Sequence, residues 1–532
     1  MDKSIKIAVS NIAAFGDTDI FPFSFEKHIF SDKPELMISA LKELHLDFDA
    51  RLSTTPPDNI NTLAPVGYTG FRWATQIDPL WNAYYLALVI EMGAEIEKAR
   101  IPVSQESVFS YRFVSENPSG GIFDDQINWK AYMDKSLELS KIHPYVITCD
   151  VSDFYSRIYH HRIENSLKWT KSKSDTVRRI VEVMKVFSRT VSYGLPVGGP
   201  ASRLLAELSL NNVDKMLRSE GVTFCRFVDD YKIFCKSKDQ AYEYLIYISD
   251  KLFNEGLSLQ KTKTRILSSK EFNDEGALLL RAHQATEADL SEEEKLLRLS
   301  IRFDPYSETR FDDYEELKEQ VSNVDIASII AKELDKSQID TPVVRQAISV
   351  LRVVEEGVRK KIIASLLEYK NIHNLAPVFT RLMTVLRGIY VELDPETQDV
   401  IDSALIQLID SDSYIVKVDL NLAYVVQVLR KQNTEVKERL FARLYRENQT
   451  PLVRREIILA MADWGHNHWL SDIKKQFNGM STWERRAFII ASYRLADEGK
   501  HWRDHNTPSF SPLEIVVRTW FRDRLPTNQS IP

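Results

Sequence analysis

Asp229 and Asp230 are neighbours in the segment CRFVDDYKIFC, residues 225–235, and Asp150 and Asp153 lie close together in YVITCDVSDFY, residues 145–155. Aspartate pairs are common in water-exposed turns, where they need no purpose beyond turning the chain. The flanks of this pair argue otherwise. Cys225, Phe227, Val228, Tyr231, Ile233 and Phe234 predict two short strands buried on at least one face, which puts the carboxylates near a core. Two carboxylates about 4 Å apart repel by roughly 4 kcal/mol at an effective dielectric near 20. Such a cluster protonates or recruits a metal ion.

The elements that must position these acids follow from the same segments. The β-like run YVITCDV delivers Asp150 at its end. Between the two acidic motifs lies YGLPVGGPASRLLAELSL, from Tyr193, a loop rich in Gly and Pro that runs into an apolar-striped helix; such a loop lets backbone approach a substrate closely. Past the predicted hairpin comes GLSLQKTKT, in which Lys261 and Lys263 alternate with Thr262 and Thr264.

Around this centre the chain reads as three blocks. Residues 1–105 are predicted mostly helical after an irregular start, with a polar loop at STTPPDNINTLAPVGYTG and a long helix from Asp78 that stops before Pro102. Residues 106–285 have an α+β character, with β-like runs VFSYRF, YVITCDV, TFCRFV and YKIFC among helical stretches. An acidic connector, Glu271 to Glu294, leads to a capping box expected at SEEE from Ser291. Residues 286–532 are helix-periodic, in segments such as VRKKIIASLLEYK and WERRAFIIASYRLADEG, and predict either HEAT-like stacked helix pairs or a compact bundle.

Composition sets the limits. The 532 residues, 44% of them hydrophobic, are enough for two to four domains with real cores. The longest apolar run, WNAYYLALVI, is too short to span a bilayer and the N-terminal segment lacks a signal pattern, which predicts a cytoplasmic protein without membrane attachment. Three cysteines, Cys149, Cys225 and Cys235, exclude a disulfide framework and have no zinc spacing. His466, His468, His501 and His505 are the only late grouping of histidines, and WGHNHW reads as a loop after a helix rather than a metal site. The net charge of −7 does not mark a nucleic-acid binder, yet Arg157 to Arg189 holds nine Lys or Arg against three Asp or Glu, a candidate phosphate-contacting stretch.

Taken in order, DVSDFY, GLPVGGPASRLLAEL, FVDDY and LSLQKTKT resemble the palm motifs of reverse transcriptases, with Phe227 in place of the usual Tyr before the Asp pair. The resemblance implies a right-hand palm and fingers and a two-metal nucleotidyl transfer. Asp150, Val151, Asp229 and Asp230 then form the metal set for two Mg²⁺ ions, with Mn²⁺ as a substitute. It makes Asp150, Asp229, Asp230 and Lys263 catalytic, with Lys263 as donor to the leaving pyrophosphate and Lys261 as its stand-in. It places Asp153 and Phe154 by the incoming triphosphate, Tyr155 at the gate that rejects a ribose 2′-hydroxyl, Arg112 on the triphosphate, and Gly198, Gly199 and Ser202 along the strand or nucleotide path. A buried structural role is the competing reading for Tyr155 and Arg112.

Further likeness, in GYTGFRWATQIDPLWNAYYLALVI, VFSYRF and YHHRIE, is to the bacterial abortive-infection and defence-associated reverse transcriptases. In that family a HEAT-like helical domain stands where a thumb is expected. Members form homo-oligomers, here a trimer or hexamer, and some make DNA without a template from a hydroxyl of the protein itself. The implied partners are deoxynucleoside triphosphates and nucleic acid: a DNA product, covalently attached in the protein-primed case, or RNA. A templated retroelement enzyme and a binding scaffold with an inactive palm are the alternatives.

Overall fold

The computed structural model describes the chain except for residues 116, 118–119, 170–172, 189–190, 275–291, 303–320, 322–323, 526–530 and 532. The expected capping box at Ser291 and most of the acidic connector lie outside the described residues. The chain divides into two compact units, Met1–Asn59 with Thr75–Leu278, and Ile60–Ala74 with Leu279–Pro532.

The first unit opens directly on helix α1 (Asp2–Phe15) where an irregular start was expected; Ile5, Ala8, Val9 and Ile12 are buried on one stripe. Short helices α2 (Glu26–Asp32), α3 (Pro34–Leu46) and α4 (Phe48–Thr54) follow. The long helix expected from Asp78 is two helices, α5 (Pro79–Glu91) and α6 (Gly93–Ala99), meeting at Met92. Asp78 caps α5 by accepting from the Leu80 N–H. At the junction the Phe113 ring lies where a Gly93 Cβ would stand, 2.4 Å from the ideal position, so only glycine admits the ring there.

Helix α7 (Trp129–Ser140) then leads into a four-stranded antiparallel sheet. Earlier in the chain β1 (Ile60–Val66) and β2 (Gly70–Gln76) pair as a two-stranded hairpin, most of it in the second unit. It stands in the stretch expected as a polar loop. Ile60, Thr62 and Ala64 are buried on alternate positions, a strand pattern that the surrounding Pro and Asn residues obscured.

The main sheet has the order β4–β5–β3–β6, with β3 (Tyr145–Asp150), β4 (Thr223–Phe227), β5 (Asp230–Cys235) and β6 (Arg265–Ser268). Cys149, Cys225 and Cys235 are free, buried residues of its strands. Helices α8 (Phe154–Arg157), α9 (His160–Trp169), α10 (Ser174–Ser188), α11 (Pro200–Ser219) and α12 (Lys238–Asn254) connect and flank it. VFSYRF, expected as a strand, forms only isolated bridges, Val108 to Arg226 and Phe113 to Phe123, because Tyr111 turns the backbone to φ 45°.

Apart from the hairpin, the described part of the second unit is built of helices, from Glu292–Arg302 to Pro512–Arg524. Capping boxes open two of them, at Ser481 with Glu484 and at Ser511 with Glu514. Among the described residues no helix is long and apolar enough to cross a membrane.

Candidate active site

Strand pairing brings the acids together. β3 and β5 run antiparallel in a register that sets Asp150 directly opposite Asp230. β4 and β5 are joined by a two-residue loop, Val228–Asp229, since Phe227 pairs with Asp230. The three carboxylates therefore belong to two adjacent strand ends, and the backbone ties them: the Val151 N–H donates to the Asp229 carbonyl at 3.1 Å. On the other side the Gln260 N–H donates to the Asp150 carbonyl at 2.7 Å and fixes the turn that carries Lys261 and Lys263. The Lys263 ammonium reaches Asp150 Oδ2 at 2.9 Å.

The electrostatics are those of crowded acids in a partly dry place. Burial, then the charge of Asp150, pushes the Asp229 carboxyl up to about 7. Asp230 is pushed up to about 6, by burial first, with Lys232 drawing it down and Asp150 driving it up. The hydrogen bond to Asp150 holds the Lys263 ammonium above its usual value. Among the described residues no group of three or more His, Cys, Asp or Glu side chains is closed up to hold an ion as it stands; one Asp150 oxygen is turned to Lys263.

Beneath the hairpin lies a buried ionic network that the sequence did not announce. Arg226, 1% exposed, grips Asp214 of α11 through Nε at 2.9 Å and Nη2 at 2.6 Å, and Glu207 of α11 at 3.0 Å. Its Nη1 donates to the Val228 carbonyl at 2.7 Å. Glu207 also accepts from the Ser110 hydroxyl and from Arg100 at 2.7 Å. Ser110 Oγ in turn accepts the Val228 N–H at 2.9 Å. Both backbone groups of Val228 are thus spoken for. Val228 needs that restraint, because its φ of 57° is a conformation that a β-branched residue resists by about 1–3 kcal/mol. The strain sits one residue before Asp229. Ser110→Ala removes one of the two ties and is expected to lower kcat about tenfold with KM nearly unchanged, while Ser110→Thr restores most of it; steady-state kinetics on both variants checks this.

The other expected site residues are distributed unevenly. Tyr155 is half-buried, its ring 5.4 Å from that of Phe154, and burial first, then the charges of Tyr111 and Asp229, hold its phenol well above the ordinary range. Phe154 is buried, and Asp153 is exposed at φ 48° just before α8. Lys261 is exposed on the Lys263 turn.

Arg112 is a correction. It is 2% exposed, and its nitrogens donate to Glu97 at 2.8 Å, the Val108 carbonyl at 3.1 Å and the Ile101 carbonyl at 2.8 Å. A guanidinium this buried, held by each of its three nitrogens in the core, follows the structural reading and is not presented to a triphosphate. Gly198 is close-packed rather than open: at φ 101°, its ideal Cβ would stand 2.6 Å from Asp19 Oδ1. Gly199 caps α11, and Ser202, 1% exposed, lies inside.

Two cations escaped the sequence reading. Arg203 pairs with Asp19 and lies 5.3 Å over the Tyr111 ring. Lys232, two residues past Asp230 on the same face of β5, is buried with Nζ 4.3 Å from the Tyr132 ring centre, and burial pushes it down to about 8. A lysine in the middle of an apolar strand run was the available signal.

Residues 96–289 match the family described as reverse transcriptase (RNA-dependent DNA polymerase). That span contains all three carboxylates, their strand pairing and Lys263. These residues are a reverse transcriptase domain. The enzyme class that accompanies it is RNA-directed DNA polymerase. No curated protein matches the chain. Similar solved structures include a telomerase from Candida albicans in complex with a TWJ fragment of telomeric RNA, at 10% identity over 68% of this chain and 70% of that one, TM-score 0.31. An apo telomerase from Candida tropicalis is similar at 11% identity over 66% and 71%, TM-score 0.29.

Proposed function

We propose that the chain is a DNA polymerase of the reverse-transcriptase type, acting in antiphage defence of the abortive-infection kind and joining deoxynucleoside triphosphates by two-metal nucleotidyl transfer. The observation that carries the chemistry is Asp150 standing across the strand pair from Asp230, beside Asp229, with Lys263 on Asp150.

The donor set suits Mg²⁺. Three carboxylates are hard oxygen ligands, and two of them are held above the ordinary carboxylate range by burial and mutual charge, which a divalent cation relieves. Asp150, Asp229 and Asp230, with Val151 beside them, would hold it, and Mn²⁺ would take the same oxygens. When bound, such ions supply charge stabilisation to the attacking 3′-oxygen and to the departing pyrophosphate. The chain's own part is to keep the acids converged through the β3–β5 register and to hold a proton on Lys263 for the leaving group. Tyr155 presents the aromatic wall at the sugar, and Asp153 and Lys261 border the triphosphate.

The defence role, a HEAT-like helical domain in place of a thumb, assembly into a homo-oligomer, and synthesis that is template-independent and starts from a protein hydroxyl rest on the sequence resemblance. A templated RNA-directed enzyme is the second reading, favoured by the family match over residues 96–289. Sequencing the product made from all four deoxynucleotides, with and without an added RNA template, separates the two. The first reading expects template-unrelated DNA that stays with the protein through denaturation. Product copied only from the added RNA supports the second, and no product with either Mg²⁺ or Mn²⁺ would mean an inactive palm.

A further inference from the structure

We propose that the helical unit carries a binding surface for the phosphate backbone of single-stranded nucleic acid, centred on Arg345, Arg381, Arg387 and Lys431. Most cations of this unit are answered by an acid: Arg443 by Asp410, Lys437 by Asp402, Lys360 by Glu396, Arg485 by Glu514. These four are not. Arg345 is exposed on the helix Thr341–Ser349, Arg381 and Arg387 lie about 9 Å apart along the axis of Phe379–Ile389, and Lys431 is exposed just past Asp419–Leu429. The three helices pack in succession. Arg381 donates to Ser349 Oγ at 3.0 Å and Arg387 to Gln427 Oε1 at 2.7 Å, both neutral acceptors. Among the described residues no carboxylate pairs with any of the four.

The neighbours deepen the crowding. Desolvation, then the charges of Arg345 and Arg352, holds the Arg381 guanidinium below its ordinary value. Lys431 is lowered by desolvation and then by Arg387 and Arg430. The acids whose charges act on this group are engaged elsewhere: Asp463, which acts on Lys431, pairs with Arg430, and Glu456, which acts on Arg387, pairs with Arg455. In a chain of net charge −7, like charges gathered without acids cost stability and gain it back only against a polyanion.

A second observation narrows the polyanion to a single strand. Strand β1 of the same unit packs on Asp419–Leu429, and its partner β2 carries Phe71 and Trp73, 57% and 66% exposed, on one face and exposed Arg72 on the other. Exposed rings in the unit that carries unpaired cations can serve as stacking platforms for unpaired bases. An acidic protein partner would use the cations and leave the rings idle.

The test is fluorescence anisotropy of the full-length protein with fluorescein-labelled (dT)20, titrated across salt concentrations in EDTA without deoxynucleotides, so that failure of the polymerase chemistry leaves the assay unaffected. The triple variant R381Q/R387Q/K431Q is expected to bind at least tenfold more weakly at 150 mM salt. Its plot of log affinity against log salt should flatten by about 2, at roughly 0.7 per lost phosphate contact. R381K/R387K, which keeps the charges, should retain the wild-type slope, and W73A should weaken binding several-fold with the slope unchanged. Wild-type affinity and slope in a triple variant that melts like the parent would overturn the basic surface; wild-type affinity in W73A would overturn the choice of a single strand.

Discussion

Replacing both Asp229 and Asp230 by Asn is expected to abolish nucleotide incorporation, by at least about 10³-fold or ~4 kcal/mol of transition-state stabilisation, while the protein stays folded. The same change should stabilise the metal-free protein at pH 8. Both carboxyls are protonated more readily in the folded chain than at their ordinary value of 3.8, Asp229 titrating near 7 and Asp230 near 6. Their contribution to folding is therefore fully present below about pH 4, is lost as pH rises through 6 to 7, and stays lost above. In EDTA the wild type should gain stability from pH 8 down to pH 5 at this site, on the order of 2–4 kcal/mol at most, and the double variant should lack that gain. Urea unfolding at the two pH values, with and without Mg²⁺, reads both statements; added Mg²⁺ at pH 8 should stabilise the wild type and leave the variant unmoved.

The second large effect concerns a residue remote from substrate. Arg226→Met is expected to destabilise the first unit by about 3–5 kcal/mol, because it leaves Asp214 and Glu207 buried with part of their counter-charge gone. Arg226→Lys should recover part of this, since a lysine keeps the charge but cannot grip Asp214 with two nitrogens and the Val228 carbonyl with a third. Chemical denaturation of the three proteins gives the order wild type, Lys, Met. If the Met variant matched wild type, the network would be dispensable for the hairpin.

The hairpin and β3 were legible because their signal is local: apolar and β-branched residues in short runs, broken by acids at the ends. β3 through β5 lie where YVITCDV, TFCRFV and YKIFC place them. The hairpin at residues 60–76 was hidden by Pro56, Pro57 and Pro65, which speak for a loop locally, while the pairing of its two strands is a tertiary fact. Arg112 shows the opposite failure. An arginine beside aromatic residues suits a triphosphate, yet Glu97 and the carbonyls that take its nitrogens come from segments that no spacing rule connects to it. Ser110, Glu207 and Asp214 gave no sign for the same reason: a serine or an acid in a helical stripe looks like surface until its partner's position is known.

The most direct test of the carboxylate centre is metal-directed cleavage. Fe²⁺ bound in place of Mg²⁺, with ascorbate and peroxide, cuts backbone next to the ion, and the fragments can be mapped by mass spectrometry. Cuts confined to the neighbourhoods of both Asp150 and Asp229–Asp230, suppressed by excess Mg²⁺, are the predicted result. Cutting at only one of the two segments, or at neither, would contradict a shared cation site between them.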